Sequence, residues 1–497
     1  MSRKHDTSTT RPHIFVIVGD CLRAATATAE TMPFTRQFAD LTFERCYAPS
    51  TWTLPSHASL YSQQTPIEHG VTRRGNSLSN GQATLPKAAR RAGYRTSLFS
   101  ENPTFSTHYG FHNGVAFVDD FVDSKLFLSQ FAIEHAVDDV TVGNALSAVR
   151  SVLQSTAPVK NAVNSAFAPL SYALARMDTR YPHNGDRVLS HLDRYVQRNS
   201  DGPLLSFVNL LDPHNPHSVP PEPAASELGL SVSRDERKAL STLDDNKLYL
   251  FEANDGPPSD AQTRFDTWDD VFERRERIYE AQVRQFDLLV RRWVERLADD
   301  VRRNALIVVT GDHGQLFGEE GMVGHHTSLH PHGVQVPLYV KLPEAWEESR
   351  TVSKPVNWVG LSKALGGVTE RSVTSGTELS AAIRRESLTD GAVVIAADGP
   401  TWNVSRLREK YDDERVDALA VRRIGLVEGD RQVVYESPWD ESEITRAEYE
   451  LVDGGRELVA TGGVVDVGAE HETWLTGEHS READAVVSAR LERLGYL

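Results

Sequence analysis

Carboxylates and imidazoles recur directly after three short apolar segments of the chain. The segments are 13–18 (HIFVIV), 204–211 (LLSFVNLL) and 306–310 (LIVVT), and the residues that follow them include Asp20, Asp212, His214, Asp312 and His313. Apolar runs of this kind are typical of buried parallel strands, whose carboxyl ends meet at one edge of the sheet. Because mixed carboxylate and imidazole groups bind divalent cations, the three segments predict a metal site at that edge.

A fourth segment, Ser50 to Leu60 (STWTLPSHASL), has the features of a helix start, with Pro55 two residues after Thr53. Proline is favoured in the first turn of a helix, so Thr53 is predicted to lie near a helix N-terminus. The residue types leave two interpretations open. Thr53 either caps the helix with its hydroxyl, or it is a nucleophile beside N–H groups that stabilise a developing anion.

Strands and helices alternate before about Thr351, which predicts an α/β fold with a doubly wound, mainly parallel sheet flanked by helices. The predicted strands are 13–18, 96–99, 204–211, 306–310 and 336–341, and the predicted helices are 86–92, 124–153, 187–198 and about 268–301. Beyond Thr351, short β-like runs such as 391–396 and 431–435 are separated by Gly and Asp. They predict a smaller C-terminal α+β domain with an antiparallel sheet.

The same patterns divide the chain into a flexible tail (1–12), a catalytic domain (13–350) and a C-terminal α+β subdomain (351–497). Within the catalytic domain, residues 218–266 are rich in Pro, Ser and Asp and are predicted to form an irregular insertion.

Composition excludes several classes of protein. With 70 acidic and 53 basic side chains the formal net charge is −17, which disfavours binding to nucleic acid or to anionic lipid. Only Cys21 and Cys46 occur, too few for a disulfide framework. No apolar run is long enough to span a membrane, and the polar N-terminal residues do not resemble a signal peptide. We therefore expect a cytoplasmic protein.

The chain resembles the sulfatase family within the alkaline phosphatase superfamily. The motifs that carry the resemblance occur in the family's order and lie mostly within residues 13–342. They are IVGDCLRA, YAPSTWTLPSHASLYS, FVNLLDPHNPH, YEAQVRQFD, VVTGDHGQLFGEEGMVGHHTSLHPHGVQVPLYV and the terminal ARLERLGYL. The resemblance implies an alkaline-phosphatase-like fold and metal-dependent hydrolysis of sulfate or phosphate esters.

Carried over residue by residue, the resemblance implies that Asp20, Asp312 and His313 bind a divalent cation. Thr53 stands at the position of the nucleophile and would also touch the metal. His214 matches the histidine that lies near the leaving group. The mixed ligand types favour Mn²⁺ or Zn²⁺, with Ca²⁺ or Mg²⁺ as alternatives.

Substrate-binding positions are carried over in the same way. His57 stands where the family usually has an arginine, and Arg23 matches a basic residue that often follows the first aspartate. A salt bridge beneath the sheet is the alternative role for Arg23. His326 aligns best with a residue that holds the anionic oxygens of the substrate, with His325 as the register-shifted alternative. A second metal would need further ligands, such as Asp212 with His214 and His326.

Two departures from the family pattern bear on mechanism. Formylglycine-dependent sulfatases need Cys or Ser where this chain has Thr53, so we expect no formylglycine. Threonine is the direct nucleophile in other branches of the superfamily, which favours phosphomonoester or phosphodiester chemistry here. Cys21 replaces the family's second aspartate, so one oxygen ligand is missing.

The residues and the resemblance leave three functions open. The first is a metal-dependent ester hydrolase acting on an anionic substrate, such as a sulfated or phosphorylated glycan or a lipid head group. The second is a phospho-group transferase with the same nucleophile, although known transferases of this type usually carry membrane helices. The third is a catalytically degenerate protein that binds anionic glycans, which the His57 and Cys21 departures favour and the retained Asp312, His313 and Thr53 oppose.

Overall fold

The computed structural model describes most of the chain. The described residues are 11–73, 75–120, 182–233, 265–325, 327–400, 413–439, 443–452, 455–463 and 467–476, together with 235, 236, 240, 404 and 408. The predicted helix 124–153, most of the predicted tail, residues 241–264 of the predicted insertion and the terminal motif lie outside these ranges.

The strands of the described residues fall into a large sheet, a smaller sheet and a two-stranded ribbon. They are β1 (His13–Gly19), β2 (Leu41–Tyr47), β3 (Arg95–Ser100), β4 (Phe117–Asp120), β5 (Leu204–Leu210), β6 (Ala305–Gly311), β7 (Leu316–Phe317), β8 (Val323–Gly324), β9 (Gln335–Lys341), β10 (Arg350–Val352), β11 (Val356–Asn357), β12 (Val393–Asp398), β13 (Val421–Glu428), β14 (Arg431–Pro438), β15 (Thr445–Val452) and β16 (Gly455–Gly463).

The α-helices lie between these strands and at the ends of the sheets. They are α1 (Pro33–Phe38), α2 (Thr53–Ser62), α3 (Pro66–His69), α4 (Leu85–Arg91), α5 (Gly185–Asn199), α6 (Ala224–Glu227), α7 (Trp268–Arg296), α8 (Asp299–Arg303), α9 (Pro331–Val334), α10 (Trp358–Glu370), α11 (Gly376–Glu386), α12 (Asp413–Leu419) and α13 (Ala469–Thr476).

The large sheet has the order β10-β2-β9-β6-β1-β5-β3-β4, and β11 also pairs with β2. Strands β6, β1, β5, β3 and β4 are mutually parallel, while β9 runs antiparallel to both β6 and β2. Gly19 lies opposite both Leu210 and Gly311, and Ser100 lies opposite Asn209. The four central strands therefore end at nearly the same level, and the predicted α/β class with a mainly parallel sheet is confirmed.

Both faces of the large sheet are covered by apolar side chains, as a doubly wound fold requires. On β1, Ile14, Val16 and Val18 join a core that includes residues of α2 and α10. The alternate residues Phe15 and Ile17 join a second core with residues of α5 and α7. Full burial of each such side chain stabilises the fold by roughly 1.5–3 kcal/mol. The continuous apolar run of β1 follows from its burial on two faces.

The smaller sheet is antiparallel in the order β12-β13-β14-β15-β16, in agreement with the predicted C-terminal α+β region. Strands β10 and β11 still pair with β2 of the large sheet, so the change of sheet comes after α11. Ser50 Oγ donates to the Ala396 carbonyl at 2.6 Å, and Arg73 forms an ion pair with Asp398 at 2.8 Å. The exact division into domains remains a prediction.

The long predicted helix 268–301 is two helices in the structure. Helix α7 ends at Arg296, because Leu297 adopts an extended backbone and buries its side chain. Helix α8 then begins at Asp299, with Asp299 and Asp300 in the first turn, where the helix dipole favours negative charge. Strand β2 was not predicted, because its charged residues interrupt the apolar pattern. Within the described part of the chain, no helix has the length and apolarity needed to cross a bilayer.

Candidate active site

Polar side chains from the ends of four adjacent parallel strands converge at one edge of the large sheet. Asp20 follows β1, Asp312 follows β6, and Asn102 follows β3, while Asn209 lies near the end of β5. All four side chains are fully buried. The shared edge follows from the parallel register of these strands, as the sequence predicted.

Thr53 reaches this edge from the first turn of α2. Its Oγ1 lies 3.3 Å from Asp20 Oδ2 and 3.4 Å from His313 Nε2, and the Thr53 side chain is fully buried. Trp52 occupies the N-cap position, with no side-chain hydrogen bond to the helix, so Thr53 is the first helical residue. The interpretation of Thr53 as the N-cap is therefore wrong, and its hydroxyl faces the polar cluster.

Asn102 joins the aspartate to the threonine. Its Nδ2 donates to Asp20 Oδ2 at 2.6 Å and to Thr53 Oγ1 at 3.2 Å. The amide orientation is fixed by Thr104, whose N–H and hydroxyl both donate to Asn102 Oδ1 at 2.7 Å. Asn209 Nδ2 donates to the same oxygen of Asp20 at 3.1 Å. Because Thr53 Oγ1 accepts from Asn102, its own proton is directed toward acceptors such as Asp20.

Backbone carbonyls fix the tautomers of the neighbouring histidines. His313 Nδ1 donates to the Gly314 carbonyl at 3.0 Å, and His214 Nδ1 donates to the carbonyl of Asn215. In each neutral ring, Nε2 is then an acceptor. The Nε2 atom of His313 lies 3.6 Å from Asp20 Oδ1, and that of His214 lies 3.9 Å from the same oxygen. Acceptor atoms therefore face acceptor atoms inside the cluster.

The two aspartates differ in their hydrogen bonds and in their charge. Asp312 Oδ1 accepts from the backbone N–H groups of Cys21 and His313, whereas Asp312 Oδ2 has no hydrogen-bond partner among the described residues. Burial, followed by repulsion from Asp20, raises the pKa of Asp312 well above its usual range. Burial acts in the same direction on Asp20, but His214, His313 and the amide donors outweigh it and lower the pKa of that carboxyl.

The donor set fits a divalent cation. Two buried carboxylates and two imidazole Nε2 atoms face one another, and the ligand atoms of Asp20, Cys21 and His313 all lie within 4.8 Å of one another. A positive ion between them would offset the repulsion between their lone pairs and would give Asp312 Oδ2 a partner. A backbone carbonyl that accepts the other ring N–H is also typical of histidines that ligate metals.

His57 lies beside the cluster in an apolar enclosure. Its Nδ1 donates to the Thr53 carbonyl at 3.0 Å and lies 3.7 Å from Asp312 Oδ2, while its ring packs on Phe105 and Trp358. Burial lowers the pKa of His57 to about 4. A neutral ring lacks the positive charge of the arginine that the resemblance places here, and the substrate-binding role of His57 remains a prediction.

The structure does not bring Arg23 into the cluster. Its guanidinium forms ion pairs with Glu276 and Glu319 and donates to Thr26 Oγ1 at 2.8 Å and to the Gln315 carbonyl at 3.2 Å. These contacts correspond to the alternative role of a buried salt bridge.

His326 and His325 are the two predicted alternatives for the residue that holds the anionic oxygens of the substrate. His326 lies outside the described residues. His325 is buried, and its ring centroid lies 4.4 Å from that of His313 and 5.5 Å from that of His214.

Asn102 and Asn209 were not predicted as site residues, although the sequence carries a signal for both. Asn102 comes three residues after the predicted strand 96–99, so it follows a strand end as Asp20, Asp212 and Asp312 do. Asn209 is the lone amide within the apolar run LLSFVNLL. A buried amide in such a run must find a hydrogen-bond partner, and here that partner is Asp20.

Comparison with known proteins gives one family and several solved structures. A family model described as Sulfatase matches residues 12–368. Among curated proteins none matches the chain. The phosphonate monoester hydrolase of Agrobacterium radiobacter has 17% identity and a TM-score of 0.58, with 88% of this chain and 89% of that chain covered.

Two further structures share the fold. The phosphonate monoester hydrolase SpPMH of Silicibacter pomeroyi has 15% identity and a TM-score of 0.57, with 89% of this chain and 90% of that chain covered. A protein solved in complex with its substrate D-glucosamine-2-N,6-O-disulfate has 14% identity and a TM-score of 0.50, with 89% and 91% covered.

Proposed function

The chain belongs to the sulfatase family of ester hydrolases, and on that premise we propose that it cleaves anionic esters with Thr53 as the nucleophile. The observation that carries this proposal is the position of Thr53 Oγ1, which lies 3.3 Å from Asp20 Oδ2 and 3.4 Å from His313 Nε2. The hydroxyl is thus held among groups that can accept its proton or hold a cation beside it. The resemblance inferred from the sequence motifs is confirmed by the family match.

The position of Thr53 on α2 supports attack on a phosphorus or sulfur centre. The helix N-terminus presents backbone N–H groups and a partial positive charge near the reacting oxygen, which stabilise developing negative charge. Asn102 donates to Thr53 Oγ1, which orients the hydroxyl, and the His57 N–H donates to the Thr53 carbonyl. These contacts fix the nucleophile before substrate binds.

His214 is the proposed proton carrier. Its Nδ1–H is held by a backbone carbonyl, and its Nε2 lies 3.9 Å from Asp20 Oδ1. In the first step the Thr53 oxygen bonds to phosphorus or sulfur and its proton passes to His214 Nε2, which delivers that proton to the leaving oxygen as the bond to this oxygen breaks. In the second step His214 Nε2 takes a proton from water, the water oxygen bonds to phosphorus or sulfur, and His214 returns the proton to the Thr53 oxygen as the Thr53 ester bond breaks. This sequence restores both side chains.

Asp20, Asp312 and His313 are the residues proposed to hold a divalent cation, together with Thr53. When bound, such a cation supplies Lewis acidity, which lowers the pKa of a coordinated hydroxyl and neutralises charge on the non-bridging oxygens. Arg23 is proposed to position the loop after β1 rather than to contact substrate, because its guanidinium is occupied by carboxylates.

The proposed substrate class is an anionic monoester or diester of phosphate or phosphonate, with sulfate esters as the second choice. Phosphonate monoester hydrolases are among the proteins that share the fold, and the hydroxyl of Thr53 suits direct attack on phosphorus. A sulfated glucosamine is the substrate of another protein with this fold, which keeps sulfated glycans in the tested set. The proposed substrate-binding role of His326 remains a prediction.

A panel of nitrophenyl esters tests the proposal. The purified protein would be assayed on phosphate, phosphodiester, phenylphosphonate and sulfate esters, beside a Thr53→Val variant that keeps the shape of the side chain and removes the hydroxyl. We expect turnover of at least one ester and a loss of at least about a hundredfold in the variant, or about 2.7 kcal/mol of barrier. Thr53→Ser, which keeps a hydroxyl, should retain more activity than Thr53→Val.

Metal content measured on the same samples gives the matched control. Asp312→Asn should weaken metal binding, with the metal content falling on dialysis, whereas Thr53→Val should keep most of it. Full activity of Thr53→Val would remove Thr53 from the chemistry. Metal binding without turnover of any ester would favour the degenerate, anion-binding alternative, and transfer to an added alcohol in place of hydrolysis would favour the transferase.

A further inference from the structure

Cys21 is shared by two groups of metal-ligand side chains. One group is Cys21 with Asp20 and His313, and the other is Cys21 with His214 and His325; within each group the ligand atoms lie within 4.8 Å of one another. Cys21 is fully buried, and its Sγ lies 3.6 Å from Asp20 Oδ1 and 3.6 Å from His325 Nδ1. The thiol therefore lies inside the cluster rather than in the apolar core.

The backbone at Cys21 is held in an unfavourable conformation that aims the side chain. Its φ of 61° lies in the left-handed region, which is unfavourable for a residue with a Cβ. Two contacts enforce it, since the Cys21 N–H donates to Asp312 Oδ1 at 3.2 Å and Tyr279 donates to the Cys21 carbonyl at 2.7 Å. Strain of this kind clusters at functional sites.

A chain of hydrogen bonds supplies a donor to the sulfur. Gln282 Nε2 donates to the His214 carbonyl, so Gln282 Oε1 accepts from His217 Nδ1 at 2.8 Å. The Nε2 atom of His217 then accepts from the Gln315 amide at 3.3 Å.

The side-chain oxygen of Gln315 fixes the tautomer of the His325 ring. Gln315 Oε1 accepts from His325 Nδ1 at 3.2 Å, so this nitrogen carries the proton that also faces Cys21 Sγ. Of the two groups, the one with Asp20 and His313 adjoins Thr53 Oγ1, which lies 3.3 Å from Asp20 Oδ2 and 3.4 Å from His313 Nε2, and it is therefore the candidate cation site.

We propose that Cys21 Sγ is a ligand of the divalent cation, beside Asp20 and His313, and that this ligand makes the site select Zn²⁺ over Mn²⁺ or Mg²⁺. The inference rests on the proposed metal-dependent function and deepens it by naming the metal. Thiolate is a soft ligand that suits Zn²⁺, whereas Mg²⁺ and Mn²⁺ prefer oxygen. On binding, the S–H bond breaks, the sulfur keeps the electron pair that it shares with the metal, and the proton leaves to solvent.

Cobalt spectroscopy tests the thiolate without reference to activity. The full-length protein would be stripped of metal with a chelator and titrated with Co²⁺ alone, following the thiolate-to-cobalt charge-transfer band in the near ultraviolet. The chain has two cysteines, so the assignment is unambiguous. We expect the band in the wild type and in Cys46→Ala, and its loss in Cys21→Ser. Cobalt bound without this band, or a band unchanged in Cys21→Ser, would overturn the proposal, as would failure to bind cobalt.

A competition experiment tests the selectivity with a second variant. Cys21→Asp replaces the sulfur with an oxygen ligand and should lower the ratio of Zn²⁺ to Mn²⁺ affinity by at least about tenfold, measured by calorimetry with each metal. An unchanged ratio would refute the selectivity. Thr53→Val should show the cobalt band of the wild type. If that variant also keeps full activity, the nucleophile assignment fails while the Cys21 ligand stands, so the two failures are distinguishable.

Discussion

Replacing Asn102 with alanine separates positioning of the nucleophile from binding of the metal. The change removes a donor that lies 2.6 Å from Asp20 Oδ2 and 3.2 Å from Thr53 Oγ1. A hydrogen bond to a charged acceptor contributes roughly 1.5–3 kcal/mol and a neutral one about 1 kcal/mol. We therefore expect Asn102→Ala to lower the free energy of unfolding by about 3 kcal/mol.

The catalytic effect of Asn102→Ala should exceed what the loss of stability explains. Without the amide, the Thr53 hydroxyl keeps Asp20 and His313 as neighbours but loses the donor that fixes its orientation. Displacement of a reacting group by about 1 Å costs up to about a hundredfold in rate. We expect kcat to fall between about tenfold and a hundredfold, with a smaller change in KM, measured on the best ester of the panel at saturating metal.

Asn209→Ala is the matched control for this experiment. Asn209 is equally buried and donates to the same Asp20 oxygen at 3.1 Å, but no hydrogen bond joins these two described residues, Asn209 and Thr53. Both variants should lose stability and metal affinity, whereas kcat at saturating metal should fall strongly only in Asn102→Ala. Equal losses of kcat in the two variants would refute the idea that Asn102 orients the nucleophile.

Two further substitutions test the packing and the titration of groups around the site. A Cβ on Gly314 would lie 1.8 Å from the His332 carbonyl oxygen, so Gly314→Ala should lower the free energy of unfolding by about 3 kcal/mol; Gly81→Ala, which meets no atom within 4 Å, should change it by less than about 0.5 kcal/mol in the same thermal scans. Burial lowers the pKa of His217 from 6.5 to about 3, so as the pH falls through this range the unfolded chain gains a proton that the folded chain does not, and stability falls. The free energy of unfolding, measured by urea titration at several pH values, should therefore depend less steeply on pH in His217→Gln, by up to about 1.4 kcal/mol per pH unit between pH 6 and 4. An unchanged dependence on pH would contradict the neutral state of His217 in the fold.

The parallel sheet and its ligand-bearing edge could be predicted from the sequence because burial on two faces leaves an unmistakable pattern. The runs HIFVIV, LLSFVNLL and LIVVT are mostly apolar, and Asp20 and Asp312 come two residues after two of them. Strand β2 escaped prediction for the opposite reason. Its Glu44 is exposed and its half-buried Arg45 forms an ion pair with Asp430, so the apolar pattern breaks although the strand pairs with β9.

The finer arrangement of the site depends on distances that sequence patterns do not carry. Asn102 and Asp20 are 82 positions apart, and their contact requires β3 and β1 to be separated only by β5. The guanidinium of Arg23 forms ion pairs with Glu276 on α7 and with Glu319, which hold it outside the polar cluster. Neither carboxylate is recognisable as its partner before the chain folds. Motif position alone therefore could not decide between substrate binding and an ion pair for Arg23.

The geometry of the site is inseparable from the core of the large sheet. Thr53 stands on a helix whose ten residues are all buried, and its neighbours Asp20 and Asp312 lie at the ends of the two most central strands. No surface loop alone carries the cluster among the described residues, so a local opening of low free energy cannot separate Thr53 from Asp20. The nucleophile and the ligands can part only when α2 leaves the sheet, which exposes the apolar side chains that hold the fold together. Rigidity of this origin holds the buried carboxylates together despite their mutual repulsion.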